Sequence, residues 1–370
     1  MEAFAYGHAS APEWRDAARL CLEQLGARAG RGNLGFVYAT DFFASHMGEI
    51  VDLLRAQTGI THWVGSVGMG ICAASREYLD EPAIAVMTAR FPENSFSILS
   101  SVIDPKMLPP SRLRCGEGAA HFAVVHGDPQ NAAIADLVAA LAERVESGFI
   151  VGGLTSSREA AVQVADQPTE GGLSGALFSS KVAVATRLTQ GCSPIGPKHM
   201  ITLCHRNLVI ELDGRPALEV LEEDIGEVLA RDLSRVSGYI FVGLPIPGSD
   251  TGDYLVRNLV GIDSNHKLLA IGETVAPDTA FMFCRRDGTS AREDMLRMLT
   301  SIKSGLQAPP KGGVYYSCLG RGQSLFGPDS AELKLIEREL GDFPLVGFFC
   351  NGEICHDRLY GYTGVLTLFI

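Results

Sequence analysis

One pattern constrains this chain more than any other: a β-α-β-β order that returns three times. "LGFVYATDFF" (34–43) reads as a strand, and Phe43, Met47, Ile50, Val51 and Leu54 mark the stripe of a following helix. "THWVGSVGMGI" (61–71) and "EPAIAVMTARF" (81–91) supply two more strands. The order recurs in "AAHFAVVHGDP" (119–129), a helix stripe of Ile134, Leu137, Val138, Leu141 and Val145, then "GFIVGGLTSS" (148–157) and "GGLSGALFSSKVAVA" (171–185). It closes the chain in "GGVYYSCLGRG" (312–322), a stripe of Leu333, Ile336 and Leu340, then "FPLVGFFCNGEI" (343–354) and "GVLTLFI" (364–370). Each second strand carries a glycine after an apolar pair: "WVG", "IVG", "LVG". Strands joined through a helix run parallel, and the third strand returns antiparallel. The repeat therefore predicts an α/β protein of mixed sheets, forming two lobes with helices packed on the sheets.

The last helix has a capping-box start, Asp329 with Glu332, and a stop at Gly341. Between the second and third repeats, "GYIFVGLPIP" and "DYLVRNLVGIDSNHKLLAIGETV" predict hairpins, followed by a helix from about Ala291 to Ile302. The net charge of −12 leaves no positive surface for a phosphate backbone, which removes nucleic acid. No apolar run of about 18 residues predicts a membrane span. The start of the chain has no basic, apolar signal pattern, and nine scattered cysteines read as reduced thiols, so the expected location is cytoplasmic.

The candidate chemical motifs are mostly weak. "GSVGMG" (65–70) has GxxGxG spacing with no helix opening behind it, and "VGGLTSS" and "GRGQSLFG" lack the lysine of a phosphate loop. In "CNGEICH", Cys350 and Cys355 are separated by four residues, which rules out covalent haem attachment. A zinc site would need a second ligand pair such as Cys204–His205, whose side chains point to opposite faces of a strand. Cys318, at the exit of a parallel strand with Arg321 close behind, is the cysteine best placed for thiol chemistry; a packed residue beneath a loop is the plainer reading. Segment 191–197, with two prolines and two glycines, predicts a rigid loop that either lines a site or joins two lobes. "ELDGRPA" then turns tightly into a helix with Pro216 near its start.

"TQGCSPIGPKHMIT", "ELDGRPALEVL", "YLVRNLVGID", "SCLGRGQSLFG" and "PLVGFFCNGEI" stand in the order of the signature blocks of the FIST family, which the chain resembles over nearly its whole length. The resemblance implies a lead-in over 1–27, a FIST N-terminal domain over 28–215 and a FIST C-terminal domain over 216–370. It also implies a sensor rather than an enzyme, binding an amino acid or related small polar metabolite and signalling through a separate partner. The about 30 residues before the first repeat are too few for the F-box of eukaryotic relatives. Some family members are haem-based nitric oxide sensors regulating a histidine kinase; that alternative would use His199 or His205 as axial ligand. A thiol-dependent enzyme is the third alternative. The first repeat has "GMGI" where the family shows Gly-Glu-Ile, whereas the last keeps Gly352, Glu353 and Ile354. The expected pocket is therefore in the last repeat, lined by Cys318, Gly320, Arg321, Gly322, Asn351, Gly352 and Glu353, with Gly191, Cys192 and Pro194 as cover. There Arg321 would pair a ligand carboxylate, Asn351 would offer amide groups, and Glu353 would accept from an ammonium.

Overall fold

The computed structural model describes residues 4–226, 233–236, 238–246 and 254–370. It divides into two compact units, Met1–Thr189 with Asp294–Ile370, and Gln190–Glu293. The sequence division at 215–216 falls inside the second unit.

All three repeats lie in the first unit, with strands where the periodicity places them. The first repeat is Leu34–Thr40, helix Met47–Thr58, His62–Gly68 and Ala83–Ala89. The second is Phe122–Gly127, helix Ile134–Arg144, Phe149–Leu154 and Leu173–Phe178. The third is Gly312–Cys318, helix Ala331–Leu340, Leu345–Cys350 and Thr363–Phe369. In each, the first strand pairs parallel with the second and antiparallel with the third. Both faces of these strands are covered, which is why they are near-continuous apolar runs rather than alternating ones.

The shared glycine has a steric cause. Gly65, Gly152 and Gly347 stand opposite Val37, Val125 and Tyr315 in the parallel ladder. A Cβ on any of them would come within 1.7–1.8 Å of that partner's carbonyl oxygen. No side chain fits there.

Sequence periodicity did not reveal the hairpin that follows each second strand. Gly70–Ala73 with Arg76–Leu79 leaves the first repeat and pairs with Leu345–Cys350 of the third. Gln163–Ala165 with Gln167–Thr169 leaves the second and pairs with His62–Gly68 of the first. Glu353–Cys355 with Arg358–Tyr360 leaves the third and pairs with Phe149–Leu154 of the second. The exchange is cyclic, so each sheet is completed by a neighbour. An outer strand then closes each far edge: Ala5–Ser10, Phe96–Val102 and Val184–Gln190.

The helices cover one face of their sheets, as in the cluster of Val37, Ala39, Ile50, Leu54 and Trp63. The opposite faces carry equivalently placed Tyr38, His126 and Tyr316, all fully buried. Tyr38 Oη lies 3.1 Å from His126 Nε2 and 2.9 Å from Tyr316 Oη. Phe36, Phe91, Phe178 and Phe369 form an aromatic cluster on the same side.

The second unit is a closed six-stranded antiparallel barrel. Its order is Cys192–His205, Ala280–Arg286, Ile240–Pro245, Tyr254–Asp263, Leu268–Ile271 and Leu208–Leu212, which pairs back with the first. Among the described residues, the pairing of the first and last of these six strands closes the sheet on itself. Helix Ala217–Ile225 packs Leu218, Val220 and Leu221 among Val209, Val242, Leu269 and Phe283. The helix expected from Ala291 to Ile302 lies within Gly288–Ser304.

Two local expectations are corrected. Segment 191–197 is not a loop: Cys192, Ser193, Pro194 and Ile195 pair with Arg286, Arg285, Cys284 and Phe283. The register breaks between Ile195 and His199, and Gly196 (φ 66°) forms that bulge. Nor is there a capping box on the last helix. The helix follows Ser330 in a left-handed conformation, with no side-chain cap, and Glu332 is turned inward instead.

Candidate functional site

The third repeat departs from the other two on its helix-facing side. Where Val37 and Val125 stand, it has Tyr315; where Ala39 and Gly127 stand, it has Ser317. The helix answers with a carboxylate. Glu332 Oε1 accepts from Tyr315 Oη at 2.6 Å, Ser317 Oγ at 3.1 Å and Arg321 Nε at 2.8 Å, and Oε2 accepts from the Gly322 amide at 2.8 Å. The Arg321 and Glu332 side chains are both 0% exposed.

That pairing leaves part of Arg321 unused. Its Nη1 and Nη2 are buried without a hydrogen-bond partner, while the guanidinium carbon stands 4.9 Å from the Phe326 ring centroid. Burial disfavours the guanidinium charge, and Glu332 and Tyr315 more than restore it, so its pKa is raised. Glu77, on the hairpin delivered by the first repeat, faces the same layer. Neither of its oxygens makes a well-formed hydrogen bond. Burial first and the charge of Glu332 second push its pKa up to about 8, against the pull of the amides of Gln323, Glu332 and Leu333.

Glu353 opens the hairpin that leaves the third repeat. Its Oε2 accepts from the Thr363 amide at 3.1 Å and from Thr363 Oγ1 at 2.7 Å; Oε1 is buried and unpartnered. Burial raises its pKa to about 8, against the Thr363 hydrogen bonds, the attraction of Arg321 and the nearby Cys318 thiol. Near neutral pH this group is largely the acid rather than the carboxylate. Cys318 stands beside it, and burial followed by the charge of Glu353 pushes the thiol far up.

The thiol is thus unsuited to nucleophilic work, and the repeat explains why it is there. Thr40, Asp128 and Cys318 occupy equivalent strand ends. Thr40 Oγ1 accepts from the Ala83 amide and Asp128 Oδ2 from the Gly171 amide, each at 2.8 Å. Cys318 Sγ accepts from the Gly320 amide at 3.4 Å and from the Tyr362 backbone. All three fasten the end of a first strand to nearby backbone.

The structure brings together most of the residues expected at the site. Cys318 and Cys350 are register partners, so the segments after them emerge at the same end of parallel strands. Asn351 is exposed, and its backbone N–H donates to Leu154 O. Gly352 takes φ 127°, and Gly322 takes φ 55° against the Phe349 ring. Gly191, Cys192 and Pro194 belong to the barrel unit. Sequence reasoning missed Glu332, Tyr315, Ser317 and Glu77. Superposing the three repeats on their shared glycine exposes Tyr315 and Ser317, because only there does the helix-facing side turn polar.

The two histidines proposed for haem sit in different surroundings. Both ring nitrogens of His199 hydrogen-bond carboxylates, Asp213 and Asp224. His205 is exposed at a strand end, and Cys204 donates to Val275 O. Among the described residues, no three His, Cys, Asp or Glu side chains converge as a metal-holding group. No helix of the described residues is long and apolar enough to cross a membrane.

A triplicated α/β unit with a buried, incompletely partnered polar cluster, joined to a small barrel, defines the class of this protein. The FIST N domain matches residues 33–215 and the FIST C domain residues 217–356, so the chain belongs to the FIST family. FIST domains are sensory and signalling domains. The chain is similar to an uncharacterised protein of Mycobacterium tuberculosis, 30% identical over 343 residues, covering 88% of this chain and 89% of that one. It is also similar to an uncharacterised protein of Mycobacterium bovis, 31% identical over 193 residues and half of each chain.

Proposed function

We propose that this protein senses an amino acid or related small polar metabolite at the strand ends of its third repeat, and signals through a separate partner chain. The observation that carries this reading is the pair of unused donors on Arg321 together with the unused acceptor on Glu353, all buried. Buried polar groups are normally hydrogen-bonded, and a group left without a partner calls for an explanation. A ligand carboxylate would take both terminal nitrogens of Arg321, and a ligand ammonium would take Glu353 Oε1. In this reading the exposed Asn351 would offer its amide to the ligand, with Gly320, Gly322 and Gly352 in the loops beside it.

The protonation of Glu353 gives this reading a specific signature. An ammonium beside it favours the carboxylate, so binding near pH 7 releases a proton. The experiment is a thermal-shift panel of amino acids and related metabolites, with haemin as the arm for the alternative cofactor. A ligand at a hundredfold excess over its dissociation constant adds about 2.7 kcal/mol to stability. The expected result is a shift with an amino-acid-like compound that is lost in Glu353→Gln. No shift across the panel, or one that Glu353→Gln leaves intact, overturns the site.

A further inference from the structure

The block "SPIGPKH…ELDGRPALEVLEED" has a physical basis separate from the ligand site. Its pieces meet within the barrel unit. His199 follows the bulge at Gly196, with its side chain 8% exposed. Nδ1 lies 2.7 Å from Asp213 Oδ2, in the turn that follows strand Leu208–Leu212. Nε2 lies 3.0 Å from Asp224 Oδ2, in the last turn of helix Ala217–Ile225. A Cβ on Gly196 would fall 2.4–2.6 Å from the Asp224 carboxylate, so the glycine is what lets that carboxylate reach the ring. Asp213 is itself held, because its Oδ1 accepts from the Met200 amide at 2.8 Å.

We propose that His199, clasped between Asp213 and Asp224, is a pH-sensitive latch fastening helix Ala217–Ile225 to the barrel. Two carboxylates on two ring nitrogens require the imidazolium, which donates from both. The neutral ring has one N–H, so one nitrogen would present a lone pair to a carboxylate and that side of the latch would fail. Among the described residues, other charged groups nearby do not replace it. Glu223, on the same helix turn, is paired with Arg215 at 2.7 and 2.9 Å, and this exposed pair stays charged across pH 6–9. Strand Ala280–Arg286 presents the Phe283 ring, 6.3 Å from His199.

Burial opposes the charge on His199, but its bonds to the two aspartates outweigh burial and raise its pKa above 6.5. A raised pKa in the folded state gives stabilisation that is complete below 6.5 and lost as pH climbs through the folded value. The latch therefore closes in mild acid and opens in mild alkali.

Hydrogen exchange of the intact chain between pH 6 and 9, corrected for intrinsic rates, tests this. Protection of residues 217–225 should fall with rising pH, by up to tenfold for each pKa unit by which His199 exceeds the ordinary value. In His199→Gln it should be low and flat. A flat profile in the native chain, or an equal fall in His199→Gln, overturns the proposal. Should the variant not fold, the ring's NMR titration in the native chain decides: a midpoint above 6.5 supports the latch, and one at or below 6.5 overturns it.

Discussion

Replacing Glu332 with alanine tests whether the polar layer of the third repeat is a closed electrostatic unit. The carboxylate accepts four hydrogen bonds, from Tyr315, Ser317, Arg321 and Gly322, and neither it nor Arg321 is exposed. Removing one member of a buried ion pair costs about 3–5 kcal/mol, because the other charge stays buried without compensation. Buried donors that lose an acceptor cost about 1–3 kcal/mol each, reduced where water fills the space left. The expected loss is therefore at the upper end, about 5 kcal/mol, measured by urea denaturation of the native and variant chains. The double variant Arg321→Met/Glu332→Leu removes both charges and keeps the volume. It should recover at least about 2 kcal/mol of that loss, since apolar replacement of a whole buried pair is often close to neutral. A Glu332→Ala loss under about 1 kcal/mol, or a double variant as unstable as the single, would refute the reasoning.

Three further outcomes are expected. Gly347→Ala forces a Cβ to 1.7 Å from Tyr315 O and should cost about 3 kcal/mol or more in chemical denaturation, whereas Gly118→Ala, with nothing within 4 Å, should cost under about 1. Tyr38→Phe strands both His126 Nε2 and Tyr316 Oη and should cost about 1–3 kcal/mol, more than Tyr316→Phe, which leaves the Tyr38–His126 bond intact. Glu353 has a folded pKa raised from 4.5 to about 8, so it is protonated when folded and ionised when unfolded between those values. Its contribution to stability must fall as pH rises through that window, by at most about 5 kcal/mol. Glu353→Gln should flatten that part of the stability-versus-pH curve; an unchanged slope would remove Glu353 as its source.

The repeat was legible because period-2 and period-3.6 patterns are local, and the glycine before the parallel partner's carbonyl recurs in all three copies. The hairpin exchange was not. Gly70–Ala73 and Gln163–Ala165 are short strands whose partners lie in other repeats, so no local pattern reveals where they pair. Pro194 and Gly196 looked like loop residues for a related reason. Proline suits a ladder position that donates no N–H and glycine suits a bulge, so a bulged strand can share a loop's composition. Arg321 was singled out by its place behind a strand-end cysteine, and Glu353 by the Gly-Glu-Ile of the family resemblance. Glu332 was assigned to a helix cap, because sequence spacing cannot tell a carboxylate turned to its own backbone from one turned to a buried arginine.

The central claim is that Glu353 receives a ligand's ammonium while Arg321 receives its carboxylate. Isothermal titration of the compound giving the largest thermal shift, repeated at pH 7 in two buffers of different ionisation enthalpy, counts the protons released on binding. The account predicts a release approaching one proton for the native chain and none for Glu353→Gln, with affinity weakened about tenfold or more, the scale of one charge-assisted hydrogen bond. Binding without proton release in the native chain, or equal affinity in the variant, would contradict it.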